Sequence, residues 1–282
     1  MKKSVSTISL ILVFLIGLSL LLYPSVSNYW NSMHQTKAVT AYTEEVSKMS
    51  AEKEAALLEQ ARAYNAGIPE RRNVYNLSDE ERAAYENCLN VDDTGIMGYI
   101  EIPAIEVTLP VYHGTSDSVL NSAVGHLDWT SLPVGGSGTH CVLSGHRGLP
   151  SAKLFTNLDK LTEGDVFILR VLDEVLTYEV DQIRIVLPDE TEELQIVDSK
   201  DYCTLVTCTP YGINTHRMLV RGHRIENQAE AQTVRITSDA VQVEPILIAP
   251  IIASPMLLIL LIILLIPKKK EAHRGDINEK RE

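Results

Sequence analysis

Positive charge is scarce in this chain. Its 282 residues include 25 lysines and arginines against 37 aspartates and glutamates, which gives a formal net charge of −12. Part of the positive charge lies at the two ends, in residues 2–3 and 268–270, so the region between them is more acidic than the whole. Nucleic acids and anionic lipids attract basic surfaces. The composition therefore argues against a nucleic-acid-binding role. The acidic composition is equally compatible with a basic binding partner and with a role in solubility alone.

Cysteine is also sparse, with four residues at positions 88, 141, 203 and 208. Successive side chains of a strand point to opposite faces. Cys203 and Cys208 therefore lie on opposite faces of the run DYCTLVTC, and Cys141 points away from the face of His146 in THCVLSGH. These spacings favour neither a disulfide framework nor a zinc site. We expect Cys141 and Cys203 to be small core residues, and Cys88 to lie near the end of a helix.

The chain contains no internal repeat and no low-complexity segment, but it has two uncharged apolar segments, residues 5–23 and 245–266. Each is long enough to cross a membrane as a helix, which takes about 20 residues. Lysines flank the outer end of both, so the positive-inside rule predicts two cytoplasmic termini and an extracellular region 24–244. A cleaved signal peptide is the alternative for the first segment.

Between these segments, the sequence pattern changes at Gly98 from helix signals to strand signals. Residues 35–66 lack proline and glycine and predict a long helix, and Ser78 with Glu81 predicts a capping box before a second, short helix. From Gly98 onward, six to eight short β-branched runs alternate with turns and predict a mainly β fold, a closed or sandwich-like barrel. A short helix is expected near SAKLFTNLDKL, residues 151–161.

These patterns divide the chain into six regions. They are an N-terminal membrane anchor or signal-like helix (1–23), an extracellular helical region (24–97), a β-barrel domain (98–226), a linker (227–244), a C-terminal transmembrane helix (245–267) and a cytoplasmic tail (268–282).

Two strand ends carry reactive side chains. Cys208 ends the run TLVTC before a loop that contains proline and glycine, and His146 ends its strand before GLP. A cysteine becomes a nucleophile as the thiolate, which needs a basic or cationic neighbour. Arg217 follows Cys208 by nine residues, so a hairpin can return its permanent charge to the thiol, where an oxyanion needs stabilisation. Cys208, His146 and Arg217 would form an acyl-transfer site.

Alternatives to this reading stay open on the residues alone. His140, His216 and His223 are rival bases for Cys208. The cysteine could also be a buried thiol beside an ordinary hairpin, in which case Arg217 would only pack against the turn.

Longer motifs carry a resemblance to a known family. The run TLVTCTPYGINTHRMLVRGHR resembles the signature of the sortases, a TLxTC strand followed by the catalytic arginine. LSGHRGLPSAKLF, preceded by GYIEIPAIEVTLPVYHGTS and VGHLDWTSLPVGG, is similar to the pilus-assembling class C sortases. The resemblance covers about Gly98 to Arg224. It implies a sortase-type closed β barrel and implies that His146, Cys208 and Arg217 are the catalytic residues.

The same resemblance implies a reaction and its partners. Cys208 would cleave an LPxTG-like sorting signal of an exported pilin, and a lysine of another pilin would resolve the thioacyl enzyme, which polymerises a covalent pilus. No metal or organic cofactor is implied. Two alternatives remain: a sortase that anchors surface proteins to peptidoglycan, and a membrane-tethered adhesin or pilus scaffold without enzymatic activity.

One feature of class C sortases is missing. Their N-terminal lid usually carries an Asp-Pro-aromatic motif, and this sequence contains no Asp-Pro. Residues 67–97 occupy the place of a lid, where Asp92 and Asp93 before Gly95 could replace the motif or belong to a solvated linker. Without the motif, we expect Cys208 to be accessible and deletion of residues 67–90 to matter little for its reactivity.

Overall fold

The computed structural model describes residues 2–70 and 75–227, with scattered positions between 254 and 262. The chain divides into two compact units, and the helices and strands from Val26 to Val241 form one of them. One candidate membrane span, Ile11–Ser47, occurs among the described residues, near the N-terminus, where a signal sequence meets the same criteria. The linker, the second apolar segment and the tail lie almost entirely outside the described residues.

Three helices precede the barrel: α1 (Lys2–Ser47), α2 (Ala51–Gly67) and α3 (Asp79–Asn87). The expectation of one helix over residues 35–66 is wrong, because Ser50 adopts an extended conformation and its side chain accepts a hydrogen bond from the backbone of Lys53. This cap starts a new helix. The predicted capping box of Ser78 and Glu81 is confirmed at the start of α3.

Eight strands close into a barrel in the order β1-β2-β3-β4-β7-β8-β6-β5, which confirms the predicted fold class. The β2–β3 and β4–β7 pairs are parallel, and the others are antiparallel. A four-residue helix, α4 (Asp117–Leu120), joins β2 to β3. The strands are β1 (Ile96–Ile102), β2 (Val107–His113), β3 (Val124–His126), β4 (Thr139–Ser144), β5 (Val166–Val171), β6 (Glu174–Val186), β7 (Asp201–Thr209) and β8 (His216–Arg224).

The short helix expected near residues 151–161 is confirmed, as a 3₁₀ helix of three residues, Leu158–Lys160. Gly148 and Leu154 have positive φ angles of 76° and 38°, which a regular right-handed helix does not allow. The segment after β4 therefore runs as an irregular loop.

Side-chain alternation along β4 and β7 agrees with the parity argument. Cys141 and Cys203 point into the main core, where their side chains are 2% and 0% exposed. All four cysteines are free thiols. However, Cys141 and Cys203 are register partners on adjacent parallel strands. Both cysteines are core residues as expected, and their pairing adds a relationship that the sequence did not reveal.

The helices belong to the same core as the barrel. Leu58 and Ala61 of α2 and Tyr85 of α3 pack into the cluster that fills the barrel. The hydroxyl of Tyr42 on α1 donates to the carbonyl of Met97 and accepts from the backbone of Leu172. Residues 26–70 and 75–97 are thus a structural part of the barrel unit, not a loose stalk.

Candidate active site

The three candidate catalytic residues meet at one end of β4, β7 and β8. Cys208 and Arg217 are register partners across β7 and β8. Beyond the last β4–β7 pair, Gly145 donates its N–H to the carbonyl of Val206 over 3.1 Å and accepts from the hydroxyl of Thr207 over 2.8 Å. The alignment of β4 with β7 thus continues to the level of Cys208, where His146 follows. All three side chains are half-buried, so they are held and still reachable.

The loop that leaves His146 is fastened at several points. Phe155 donates its backbone N–H to the carbonyl of His146 over 3.1 Å. From α1, Asn31 donates to the carbonyl of Ser151, and Asn28 accepts from the backbone of Lys153. Helix α1 therefore helps to fix the loop on which the imidazole sits. The sequence offered no signal for these contacts, because more than 100 residues separate the partners.

Arg217 is oriented by its own turn. Its Nη1 donates to the carbonyls of Asn214 and His216 over 3.2 and 3.1 Å. Asn214 has a φ of 61°, in the left-handed region that asparagine tolerates better than most residues. The β7–β8 turn therefore positions the guanidinium beside the cysteine strand.

The structure separates the rival histidines from the row of Cys208. His140 and His223 are both aligned with Tyr202, six residues before Cys208 on β7. Burial lowers the pKa of His140, and both of its ring nitrogens are already hydrogen-bonded. His216 is opposite Thr209, so strand alternation places it on the other face from Arg217. Of the four histidines considered, His146 has the position of a base.

An apolar cluster lies on the face of β7 that carries Cys208, and it includes Val206, two residues before the cysteine. Its buried members come from β4, β7 and β8 and from the segment between β6 and β7, and three half-buried side chains flank it. The buried members are Val142, Leu194, Val206 and Leu219, and the flanking side chains are Leu127, Trp129 and Val186. This cluster provides an apolar surface next to the cysteine.

Tyr75 connects the lid-like region to this surface. Its ring packs edge-on against Trp129, with ring centroids 5.0 Å apart. Its hydroxyl hydrogen-bonds with the hydroxyl of Thr191 over 2.9 Å and accepts from the side chain of Gln195 over 3.1 Å. Sequence reasoning missed Tyr75, although it is the one aromatic residue in the polar connector GIPERRNVYN. Asp92, the residue that the sequence suggested as a lid anchor, makes only a local contact among those described: it accepts hydrogen bonds from the backbone N–H and the hydroxyl of Thr94.

Within the described ranges, no group of three or more histidine, cysteine, aspartate or glutamate side chains could hold a metal ion. The candidate site itself combines a thiol, an imidazole and a guanidinium next to an apolar cluster.

Comparison with known proteins identifies relatives. The sequence model of a family described as Sortase domain matches residues 100–225. Sortase D of Bacillus subtilis is 31% identical over 131 residues, which are 45% of this chain and 63% of that protein, so the chain spans less than two thirds of that relative.

Solved structures match over a longer range. Sortase C1 of Streptococcus agalactiae superimposes with a TM-score of 0.66 at 49% identity, over 68% of this chain and 100% of that one. A Streptococcus pneumoniae Sortase C structure, described in terms of catalysis and pilin substrate specificity, matches with a TM-score of 0.62 at 44% identity, over 68% and 98% of the two chains.

Proposed function

The chain belongs to the sortase family of cysteine transpeptidases, and on this basis we propose that it joins exported pilins through the thiol of Cys208. The observation that carries the proposal is the alignment of Cys208 with Arg217 and with the end of β4 before His146. Acyl transfer requires a nucleophile, a proton carrier and a cation held close together. Here all three lie at one level of the sheet.

The first half-reaction forms a thioester. As the thiol of Cys208 gives its proton to His146, the sulfur attacks the Thr–Gly carbonyl of an LPxTG-like sorting signal, and the carbonyl oxygen becomes an oxyanion. Arg217, assisted by a backbone N–H after Cys208, stabilises this charge. His146 donates a proton to the glycine nitrogen as the C–N bond breaks. The C-terminal fragment leaves with a free amine, and the acyl group remains on the sulfur.

The second half-reaction returns the free thiol. The ε-amine of a lysine on another pilin attacks the thioester, and His146 accepts the proton that this nitrogen loses. The sulfur leaves as the thiolate and takes the proton back from His146, and an isopeptide bond joins the two pilins. Repetition of the cycle extends a covalent fibre. Pilin as the substrate class is supported by the class C resemblance of the motifs and by the similarity to the pneumococcal structure.

Retention at the membrane is the second part of the proposal. We assign the apolar helix that includes residues 11–23 as an anchor that keeps the catalytic domain on the outer side of the membrane. Residues 245–266 would form a second anchor, which places both termini in the cytoplasm.

Incubation of the full-length protein in detergent with a purified pilin tests the reaction. We expect ladders of pilin that resist SDS, and the same reaction with Cys208→Ala should give none. If isopeptide products form only with peptidoglycan cross-bridge amines, the enzyme is an anchoring sortase. If Cys208 labels no faster than the buried cysteines and no product forms, the domain is a scaffold.

A further inference from the structure

His140 is a buried histidine that the proposed reaction does not use. It lies on β4 on the face of the apolar cluster, six residues before His146, and it is 1% exposed. A polar ring in such a place normally has a structural or functional partner for each nitrogen. The contacts of His140 show which parts of the molecule it connects.

Both ring nitrogens of His140 are committed. Nδ1 lies 2.9 Å from the carbonyl of Gln195, and Nε2 lies 2.7 Å from the hydroxyl of Thr204. A carbonyl oxygen only accepts, so the proton sits on Nδ1, and Nε2 accepts from the hydroxyl of Thr204. Thr204 is on β7, on the face of Cys208 and four residues before it. The carbonyl of Gln195 therefore fixes the tautomer of His140, and the hydroxyl of Thr204 satisfies the remaining nitrogen.

Gln195 belongs to the β6–β7 segment, which we define as residues 187–200. The residue before it, Leu194, packs into the apolar cluster and is 7% exposed. The side chain of Gln195 donates to the hydroxyl of Tyr75. The segment begins directly after Val186, the register partner of Arg217. The position of the β6–β7 segment therefore sets one side of the apolar surface beside Cys208 and Arg217.

The backbone of His140 holds the opposite side of that surface. Its N–H donates to the hydroxyl of Ser131, and its carbonyl accepts from the N–H of Ser131. Ser131 follows Trp129, which flanks the same cluster, in the β3–β4 segment, defined as residues 127–138. One residue thus links both segments that border the apolar cluster.

We propose that His140, with its ring held in place by the hydroxyl of Thr204, is a positioning residue that seats the β6–β7 segment against the β3–β4 segment and so shapes the binding surface for the sorting-signal peptide. This inference rests on the proposed function. It assigns His140 to substrate affinity rather than to the chemical step, because its ring lies six residues along the strand from the reacting groups and has no free nitrogen.

Removing the hydroxyl of Thr204 tests this with the least disturbance. Thr204→Val keeps the shape of the side chain and leaves Nε2 without its donor, whereas Thr204→Ser keeps the hydroxyl. In a peptide-cleavage assay with the full-length protein and an LPxTG peptide, we expect Thr204→Val to raise KM about tenfold, a change of about 1.4 kcal/mol. The kcat and the alkylation rate of Cys208 by a small reagent should stay within about twofold, and Thr204→Ser should restore KM.

Hydrogen exchange provides a readout that does not depend on activity. In Thr204→Val and in His140→Leu, the amides of the β6–β7 segment should exchange faster than in the wild type. Thr177→Val is the matched control, because Thr177 is a buried threonine on β6 whose hydroxyl bonds to Asn227. It should change neither KM nor exchange in this segment. If His140→Leu fails to fold, Thr204→Val alone decides.

Unchanged KM in folded Thr204→Val, or unchanged exchange of residues 187–200, would overturn the assignment of His140. A fall in kcat at constant KM would also overturn it, because it would place His140 in the chemical step. Failure of the proposed function looks different: the wild type itself would show no turnover that depends on Cys208, while the exchange experiment would still report on the contact between His140 and Gln195.

Discussion

Cys208 and Arg217 are direct register partners on the antiparallel strands β7 and β8. Side chains in such a pair have Cβ atoms about 4.5–5.5 Å apart. The sheet itself therefore sets the separation of the two Cβ atoms, and the β7–β8 loop orients the guanidinium. Sites built on strands hold their geometry more accurately than sites built on loops.

The role of Arg217 predicts a large effect of a conservative change. Lysine keeps the charge but not the planar fork of donors that can grip a carbonyl and an oxyanion together. Arg217→Lys should reduce kcat for peptide cleavage by roughly 10- to 1000-fold, the scale of losing one oxyanion donor. The unfolding temperature and the alkylation rate of Cys208 should be nearly unchanged.

The control for this variant is Arg62→Lys, on the exposed surface of α2, where the arginine pairs with Glu174. It should not change turnover. Turnover of Arg217→Lys within about twofold of the wild type would remove Arg217 from the catalytic set.

The contacts of Tyr75 lead us to expect restricted access to Cys208, which differs from the sequence-based expectation. Deleting residues 67–90 would remove Tyr85 and Leu89, which are 2% and 0% exposed in the core, and would therefore damage the barrel. Tyr75→Ala is the sharper test. It removes a ring contact with Trp129 worth about 0.5–1.5 kcal/mol and two hydrogen bonds of the hydroxyl. A bulky thiol reagent should then modify Cys208 about fivefold faster or more.

Tyr75→Phe separates the two contributions of this residue. It keeps the ring on Trp129 and loses the bonds to Thr191 and Gln195, so we expect an intermediate rate. Equal rates in all three proteins would show that this region does not restrict access to Cys208.

Gly145, the residue before His146, packs so closely against Phe155 that a larger side chain should disturb the candidate site. A Cβ at position 145 would lie 2.7 Å from the ring of Phe155, whose backbone also bonds to His146. Gly145→Ala must therefore displace the phenylalanine or the loop, and overpacking of this kind costs about 1–3 kcal/mol. We expect a lower unfolding temperature and a loss of turnover. Gly67→Ala is the control, since a Cβ there meets no atom within 4 Å.

Local pattern was enough to find the strands and the faces of their side chains. Alternation in DYCTLVTC correctly separated Cys203 from Cys208, because it depends only on the geometry of one strand. It could not show that Cys141 lies opposite Cys203, since β4 and β7 are neighbours only in the closed barrel. Tyr75 was missed for the same reason: its partners Trp129 and Gln195 are distant in sequence.

Helix ends show a different limit of sequence reasoning. The absence of proline and glycine over residues 35–66 favoured one continuous helix, yet Ser50 accepts from Lys53 and starts a second one. A serine inside a helix-forming run is compatible with either outcome, and the packing of α2 on the barrel decides between them. The role of α1 in holding the loop after His146 was likewise invisible, because it depends on tertiary contacts of Asn28 and Asn31.

Half-buried His113 and buried His140 predict how stability depends on pH. Burial lowers the pKa of both His113 and His140. In the unfolded chain, a histidine titrates near 6.5. The stability contributed by the neutral folded forms is therefore fully present above about pH 6.5. It falls as the pH drops below that value, because the unfolded state then binds protons that the folded state does not.

We therefore expect the midpoint of thermal unfolding to decrease from pH 7.5 to 5.5, a window above the ordinary range of carboxylates. The variant His113→Gln tests the assignment, because it removes one of the two titrating groups. The amide can still donate to one of the carbonyls of Gly95 and Cys88 that His113 contacts. Its midpoint can be lower at every pH, but the drop across the window should be smaller than in the wild type. An equal drop in both proteins would show that His113 does not contribute to the acid sensitivity.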